Sequence, residues 1–195
     1  AAGQTVRLLC RGPGHLAHGR LQAAGEIFGE LMEDRNRRYL VDGFPLISVL
    51  DNRHTDSKGQ QAKVGANATW HTDHTNQELP PKFTILYAVA VPDKGGATSV
   101  CNMRAAYEAL PDTWKQRIAG MQTANSLLSS ARFKIANPDV LREQQELKIP
   151  PRIQPLVRTH PERRTRAIWF HKGKTENVLG MSAEETQVFL DELLA

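Results

Sequence analysis

Short apolar runs of strand length, most of them followed by proline or glycine turn residues, limit the fold of this chain more than any other feature. Residues 6–10, 46–50 and 83–91 are such runs. Residues 156–159 and 167–170, joined by a polar connection, predict a two-stranded hairpin. Strands punctuated in this way, with helices bunched at a few places, favour a β-rich α+β fold over an alternating parallel α/β fold. The predicted architecture is a double-stranded β-helix, or jelly roll, with helical insertions.

Helical periodicity is confined to a few segments. Residues 16–32 have apolar side chains at spacings of three and four, which predicts a helix that covers a sheet. Asn102 is placed to cap a second helix. The Ser-Ala-Glu-Glu sequence at residues 182–185 is a capping box that predicts the start of another. The predicted buried face of the first helix consists of Leu21, Ala24, Ile27, Phe28 and Leu31.

Composition and charge exclude several classes of protein. The chain has 195 residues, 40% hydrophobic and 24% charged, as in a soluble globular domain. No apolar run approaches the roughly 20 residues of a membrane span, and no secretory signal is visible, so we predict a cytoplasmic protein without a membrane partner. Cys10 and Cys101 form no disulfide or metal-binding pattern, so we expect both to be reduced. The basic clusters at residues 35–38 and 163–166 lack aromatic stacking positions, so nucleic acid binding is not predicted.

His71 and Asp73 are the residues best suited to carry chemistry. On a strand, side chains two positions apart point to the same side, so an imidazole and a carboxylate would leave the sheet together, with His74 facing the other way. A second imidazole would complete a two-histidine, one-carboxylate site, which leaves three positions open on Fe(II). The tripeptide alone is common, and a hydrogen-bonded surface histidine is the alternative interpretation.

Several short motifs surround this pair in a fixed order. They are Phe-Gly-Glu-Leu at 28–31, Trp-His-Thr-Asp at 70–73, Pro-Pro at 80–81, Gly-Gly-Ala-Thr at 95–98, residues 103–111, and Leu-Val-Arg-Thr-His-Pro at 156–161. In order and spacing they resemble the taurine dioxygenase (TauD/TfdA) family of Fe(II)/2-oxoglutarate-dependent dioxygenases. The resemblance implies a single dioxygenase domain over residues 1–195.

The resemblance also implies roles for four residues. His71 and Asp73 would be ligands of Fe(II), Thr98 would bind a carboxylate of the cosubstrate 2-oxoglutarate, and Asn67 would lie at the substrate pocket. From the residues alone, Thr98 and Asn67 are also typical of turns. The implied reaction hydroxylates a small organic substrate, with anions among the candidates, and uses O2 to convert 2-oxoglutarate to succinate and CO2. The resemblance is compatible with a homo-oligomer, although no interface signal sets its size.

The sequence departs from the family pattern at both ends. The family's distal histidine ligand and its 2-oxoglutarate-binding arginine would lie beyond Leu194, and its first strand and helix would precede Ala1. We therefore expect an incomplete domain, and poor or no turnover by these residues alone. His160 and His171 lie too early to replace the distal ligand, and His15, His18 and His54 match no family ligand.

Two other functions stay open at this point. The first is a non-catalytic jelly-roll binding protein that has lost half of its metal site. The second is a cupin-like hydrolase or isomerase that uses another divalent metal. The Gly-Gly-Ala-Thr motif at residues 95–98 favours the dioxygenase over the second, because the resembling family uses this motif to bind its cosubstrate.

Overall fold

A computed structural model describes the chain as two compact units. One unit comprises residues 5–67 and 81–97, and the other comprises residues 1–4, 68–80 and 98–195. His71, Asp73 and Thr98 belong to the second unit. The described residues are 6–10, 17–33, 40–49, 70–90, 93–94, 98–127, 142, 145–146 and 149–195.

The described residues of the first unit form two strand pairs and a helix. β1 (Val6–Cys10) pairs in parallel with β4 (Phe83–Tyr87). β2 (Leu40–Val41) and β3 (Phe44–Ser48) form an antiparallel hairpin. The helix is α1 (His18–Glu26).

The second unit is built on a three-stranded antiparallel sheet. Its central strand, β5 (Gln122–Asn125), lies between β6 (Arg152–Pro155) and β9 (Thr175–Val178). A separate antiparallel hairpin consists of β7 (Val157–Thr159) and β8 (Arg166–Ile168). This hairpin confirms the pairing predicted from residues 156–159 and 167–170, with each strand shorter than predicted.

Buried polar side chains connect the strands of this sheet. The side-chain amide of Asn125 donates to the Oγ1 of Thr123 at 2.9 Å, and its Oδ1 accepts a hydrogen bond from the hydroxyl of Thr175 at 2.9 Å. The Thr123 hydroxyl donates in turn to the carbonyl of Gln154 at 3.3 Å. Because buried polar groups are costly unless they are paired, this network favours one alignment of β6, β5 and β9. It thereby fixes the start of β9, which follows the turn that begins at His171.

Helices and an apolar core lie beside these strands in the described part of the second unit. The helices are α2 (Met103–Ala109), α3 (Asp112–Ile118) and α4 (Ala183–Leu194). Asn102 caps α2 and a capping box starts α4, so both predicted helix starts are confirmed. The buried core residues come from the helices, the hairpin and the sheet: Tyr107, Ile118, Leu156, Ile168, Phe170, Val178, Phe189, Leu190 and Leu193.

The predicted helix over residues 16–32 is wrong in its extent. α1 ends at Glu26, and Gly29 follows with a φ of 129°, a conformation that favours glycine and interrupts a helix. Ile27 is 81% exposed and Phe28 is 49% exposed. These two side chains therefore do not belong to a buried helix face.

Within the described residues, the strands do not close into a barrel. Each sheet has two or three strands, and all pairings except that of β1 with β4 are antiparallel. The structure thus shows antiparallel sheets with helices, and the jelly-roll architecture stays a prediction. Over the same residues, no helix combines the length and apolar character that crossing a bilayer requires.

Candidate metal centre

His71 and Asp73 lie side by side. The Nε2 of His71 is 3.3 Å from the Oδ1 of Asp73, and the two side chains are 26% and 22% exposed. The predicted strand does not place them there, because His71 occupies an isolated bridge and Asp73 begins a turn. In that turn His74 has a φ of 55°, so it does not continue an extended segment as predicted.

The turn after Asp73 is tied to the three-stranded sheet. The amide of Gln77 donates to the carbonyl of His74 at 3.0 Å, and the side chain of Gln154 on β6 donates to the carbonyl of Gln77 at 2.8 Å. Within the turn, the buried Oγ1 of Thr75 and Oδ1 of Asn76 have no hydrogen-bond partner among the described residues. The segment that carries Asp73 is therefore anchored and has polar atoms that a ligand or water could satisfy.

A second histidine, His171, lies next to His71. The two residues face each other in an antiparallel bridge, and their ring centroids are 4.9 Å apart. The backbone amide of Gly173 donates to the Nδ1 of His171 at 3.1 Å. Burial lowers the pKa of His171 to about 3, Lys174 and His71 act in the same direction, and Asp73 opposes them. The imidazole of His171 is therefore neutral at neutral pH.

The pair of donors fits one divalent cation. Two ligand atoms that each lie about 2.1 Å from a metal, at an angle of about 90°, are about 3 Å apart. The separation of 3.3 Å between His71 and Asp73 is close to that value. An imidazole nitrogen with a carboxylate oxygen is also a donor set that iron and manganese accept. No cluster of three or more candidate metal-binding side chains occurs in the part of the chain that the structure describes.

Of the other two predicted site residues, the structure describes Thr98 and does not show it at this pair. Thr98 is exposed in the irregular segment before α2, and none of the described contacts joins it to His71 or Asp73. Asn67 lies outside the described residues. The roles of Thr98 and Asn67 therefore stay predictions.

Two further histidines in the described part of the chain, His160 and His18, have other partners. The Nδ1 of His160 accepts hydrogen bonds from the amides of Glu162 and Arg163 at 3.1 and 3.2 Å, as in a structural turn. His18 is exposed and packs against Phe44, with ring centroids 5.4 Å apart. His15 and His54 lie outside the described residues.

Sequence reasoning missed the position of His171. It considered this residue only as a replacement for the distal ligand, and no local pattern links His171 to His71. The bridge joins segments that are far apart along the chain. The sequence offered only an indirect indication of this position, which is that His171 directly follows a predicted hairpin strand, residues 167–170.

The chain therefore has a pair of side chains, one imidazole and one carboxylate, that is suited to binding a divalent metal. Residues 8–195 match the model of the taurine catabolism dioxygenase TauD, TfdA family. The chain belongs to the TauD/TfdA family.

Individual relatives cover part of the chain. It is 37% identical to an alpha-ketoglutarate-dependent 2,4-dichlorophenoxyacetate dioxygenase from Cupriavidus pinatubonensis, over 66% of this chain and 44% of the relative. It is 34% identical to an alkylsulfatase from Acinetobacter baylyi, over 56% of this chain and 31% of the relative. The crystal structure of AAD-2 with Mn(II) and N-oxalylglycine aligns with a TM-score of 0.40 and 30% identity, over 47% of this chain and 35% of that one. The chain thus spans less than half the length of these relatives.

Proposed function

We propose that the protein is an Fe(II)- and 2-oxoglutarate-dependent dioxygenase that hydroxylates a small organic anion on a jelly-roll scaffold. The observation that carries the proposal is the 3.3 Å separation between the Nε2 of His71 and the Oδ1 of Asp73. A pair of donors at this distance, in a chain of the TauD/TfdA family, matches two positions of a two-histidine, one-carboxylate site.

In this proposal the chain holds and orients the reactants. His71 and Asp73 hold the ferrous ion, Thr98 donates a hydrogen bond to a carboxylate of 2-oxoglutarate, and Asn67 contacts the substrate. When bound, the metal and cosubstrate supply the oxidising chemistry, and the products are the hydroxylated substrate, succinate and CO2. The chain's contribution is to fix the substrate C–H bond near the metal and to limit access of water.

Two observations support an anionic substrate. One relative is named for its action on 2,4-dichlorophenoxyacetate, which is a carboxylate, and another is named alkylsulfatase. Lys174 lies three residues after His171 in the turn that begins there, and its positive charge contributes to lowering the pKa of His171. A cation whose charge acts on His171, the bridge partner of His71, favours a substrate of negative charge.

Metal binding tests the proposal directly. Titrating the metal-free protein with Mn(II), followed by the EPR signal of the free ion, should show a bound ion that His71→Ala and Asp73→Asn each weaken by more than about 10-fold. Glu78→Gln is the matched control, because Glu78 lies in the same loop but pairs with Arg152 at 3.6 Å. It should bind Mn(II) like the unmodified protein.

Cosubstrate and turnover form the second part of the test. Anaerobic addition of 2-oxoglutarate to the whole protein loaded with Fe(II) should produce a visible charge-transfer band, and a panel of aryloxyacetates and alkyl sulfates should trigger release of succinate, whereas the 195 residues alone should turn over poorly or not at all. Absence of Mn(II) binding by the unmodified protein would overturn the proposal and favour the non-catalytic binding protein. A charge-transfer band that survives in Asp73→Asn would contradict the assigned ligands.

A further inference from the structure

The ring of His171 lies against the ring of His71 because the two residues pair in an antiparallel backbone bridge. The amide of Thr72 donates to the carbonyl of Phe170 at 3.3 Å, so His71 and His171 form the adjacent pair without hydrogen bonds between them. In such pairs the side chains point to the same side and approach most closely. The ring centroids are 4.9 Å apart with an angle of 38° between the planes, within the range of favourable aromatic contacts.

His171 is itself fixed in place. Its Nδ1 accepts the Gly173 amide at 3.1 Å, and its carbonyl accepts the amides of Lys174 and Thr175, each at 2.8 Å. The nitrogen that accepts an N–H carries no proton, so in the neutral ring the proton lies on Nε2. Neither nitrogen of His171 is then available to a metal in this arrangement. Its ring is a rigid surface and not a third donor.

We propose that His171 is a positioning residue that holds the imidazole of His71 in the rotamer that faces Asp73. This inference rests on the proposed metal-binding function of His71 and Asp73. By this proposal, removal of the ring of His171 allows the imidazole of His71 to turn and takes its Nε2 away from the position 3.3 Å from Asp73. Residues that orient metal ligands typically change metal affinity by about 10- to 100-fold when they are replaced. We expect about 10-fold, because the contact is packing rather than a hydrogen bond to the ligand.

Three variants separate the ring from its surroundings. His171→Ala removes the ring. His171→Phe restores an aromatic surface without the nitrogen that accepts the Gly173 amide. Gly173→Ala keeps both histidines in the sequence. Its added Cβ would lie 3.3 Å from the Cε1 of His171, which is a tight contact, and would push against the ring.

His160→Ala is the matched control. Like His171, His160 accepts a backbone amide two residues later through its Nδ1, at 3.1 Å, so its removal also costs a turn hydrogen bond. It carries no contact with His71 among those described. A loss seen with His171→Ala but not with His160→Ala therefore belongs to the ring contact.

The first measurement is Mn(II) binding by EPR. We expect His171→Ala to bind about 10-fold more weakly, Gly173→Ala to bind more weakly than the unmodified protein, His171→Phe to recover most of the affinity, and His160→Ala to be unchanged. Equal affinity of His171→Ala and the unmodified protein would overturn the proposal. Equal losses in His171→Phe and His171→Ala would also overturn it, because the ring surface would then have no role.

The second measurement uses the metal-free protein, so it separates this inference from the proposed function. NMR should show a nuclear Overhauser effect between the two rings and a single χ1 rotamer for His71, and both should be lost in His171→Ala while circular dichroism stays unchanged. If the unmodified protein binds no Mn(II), the proposed function fails, but these spectra still decide the positioning role. An unchanged His71 rotamer in His171→Ala refutes it.

Discussion

The pH dependence of stability offers a sharp test of the surroundings of His171. Burial, with help from Lys174 and His71, lowers the pKa of this residue from 6.5 to about 3. In the unfolded chain the imidazole regains its ordinary pKa of about 6.5. Between these two values the unfolded chain binds a proton that the folded chain does not bind. Folding stability therefore decreases as the pH falls from about 6.5 towards about 3.

The size of the effect follows from the proton count. A difference of one bound proton changes the free energy of unfolding by about 1.4 kcal/mol per pH unit. Since the unfolded histidine is only half protonated near pH 6.5, lowering the pH from about 7 to about 5 should cost about 2 kcal/mol. Typical domains have about 5–15 kcal/mol in total, so the change is readily measurable.

Urea unfolding of the metal-free protein, with a chelator present, provides the assay. The comparison is with His171→Asn, whose side-chain oxygen can still accept the Gly173 amide but does not titrate. Titratable groups that do not interact with His171 contribute equally to both proteins, so the difference between the two pH profiles reports on His171 together with its coupling to Lys174, His71 and Asp73. If the two profiles are parallel between about pH 7 and about pH 5, the folded imidazole titrates normally and the buried position beside His71 is refuted.

Three further predictions concern packing, a buried hydrogen bond and charge. Leu156 is fully buried in the core, so Leu156→Ala should lower the free energy of unfolding by about 2–5 kcal/mol, while Leu194→Ala, at a residue 40% exposed, should cost far less. Equal losses in urea unfolding would contradict the assigned core. The hydroxyl of Thr186 accepts the amide of Val178 at 2.9 Å, so Thr186→Val should cost about 1–3 kcal/mol and Thr186→Ser less, because only the serine keeps an acceptor. The same cost in both variants would contradict this assignment, because the serine keeps the acceptor that the valine lacks. In the whole protein, Lys174→Met should raise the KM for an aryloxyacetate about 3- to 10-fold and leave that for its neutral amide unchanged, which steady-state succinate release would measure. A similar change for both substrates would exclude a role for the charge.

The elements that the sequence predicts well depend on residues close together in the chain. The cap at Asn102 and the capping box at Ser182 each involve a side chain and an amide three residues apart, and both are present. The periodicity over residues 16–32 failed because it ignored Gly29, whose φ of 129° ends the helical segment. Local side-chain chemistry therefore predicted where helices begin better than apolar spacing predicted how far one extends.

The candidate site shows a different limit. The resemblance drew attention to His71 and Asp73, and alternation along a strand was the physical reason to expect them on one side. In the structure they are adjacent for another reason, since the chain turns after the bridge at His71 and His74 takes a φ of 55°. The neighbour across that bridge, His171, could not be found from the sequence, because pairing between distant segments leaves no local pattern.

The positive φ of His74 indicates what determines the geometry of the pair. A residue other than glycine in this region costs about 1 kcal/mol or more, and such strain persists where the surrounding structure fixes the backbone. Here the fixing contacts are the hydrogen bond from Gln77 to the carbonyl of His74 and the one from Gln154 to the carbonyl of Gln77. The position of Asp73 is thus set by the sheet that carries Gln154, and the position of His71 by its bridge to His171. Because β6, which carries Gln154, and β9, which follows His171, both pair with β5, the contacts that hold the two donors lead to one sheet. Such a sheet preserves a ligand geometry better than a loop alone would.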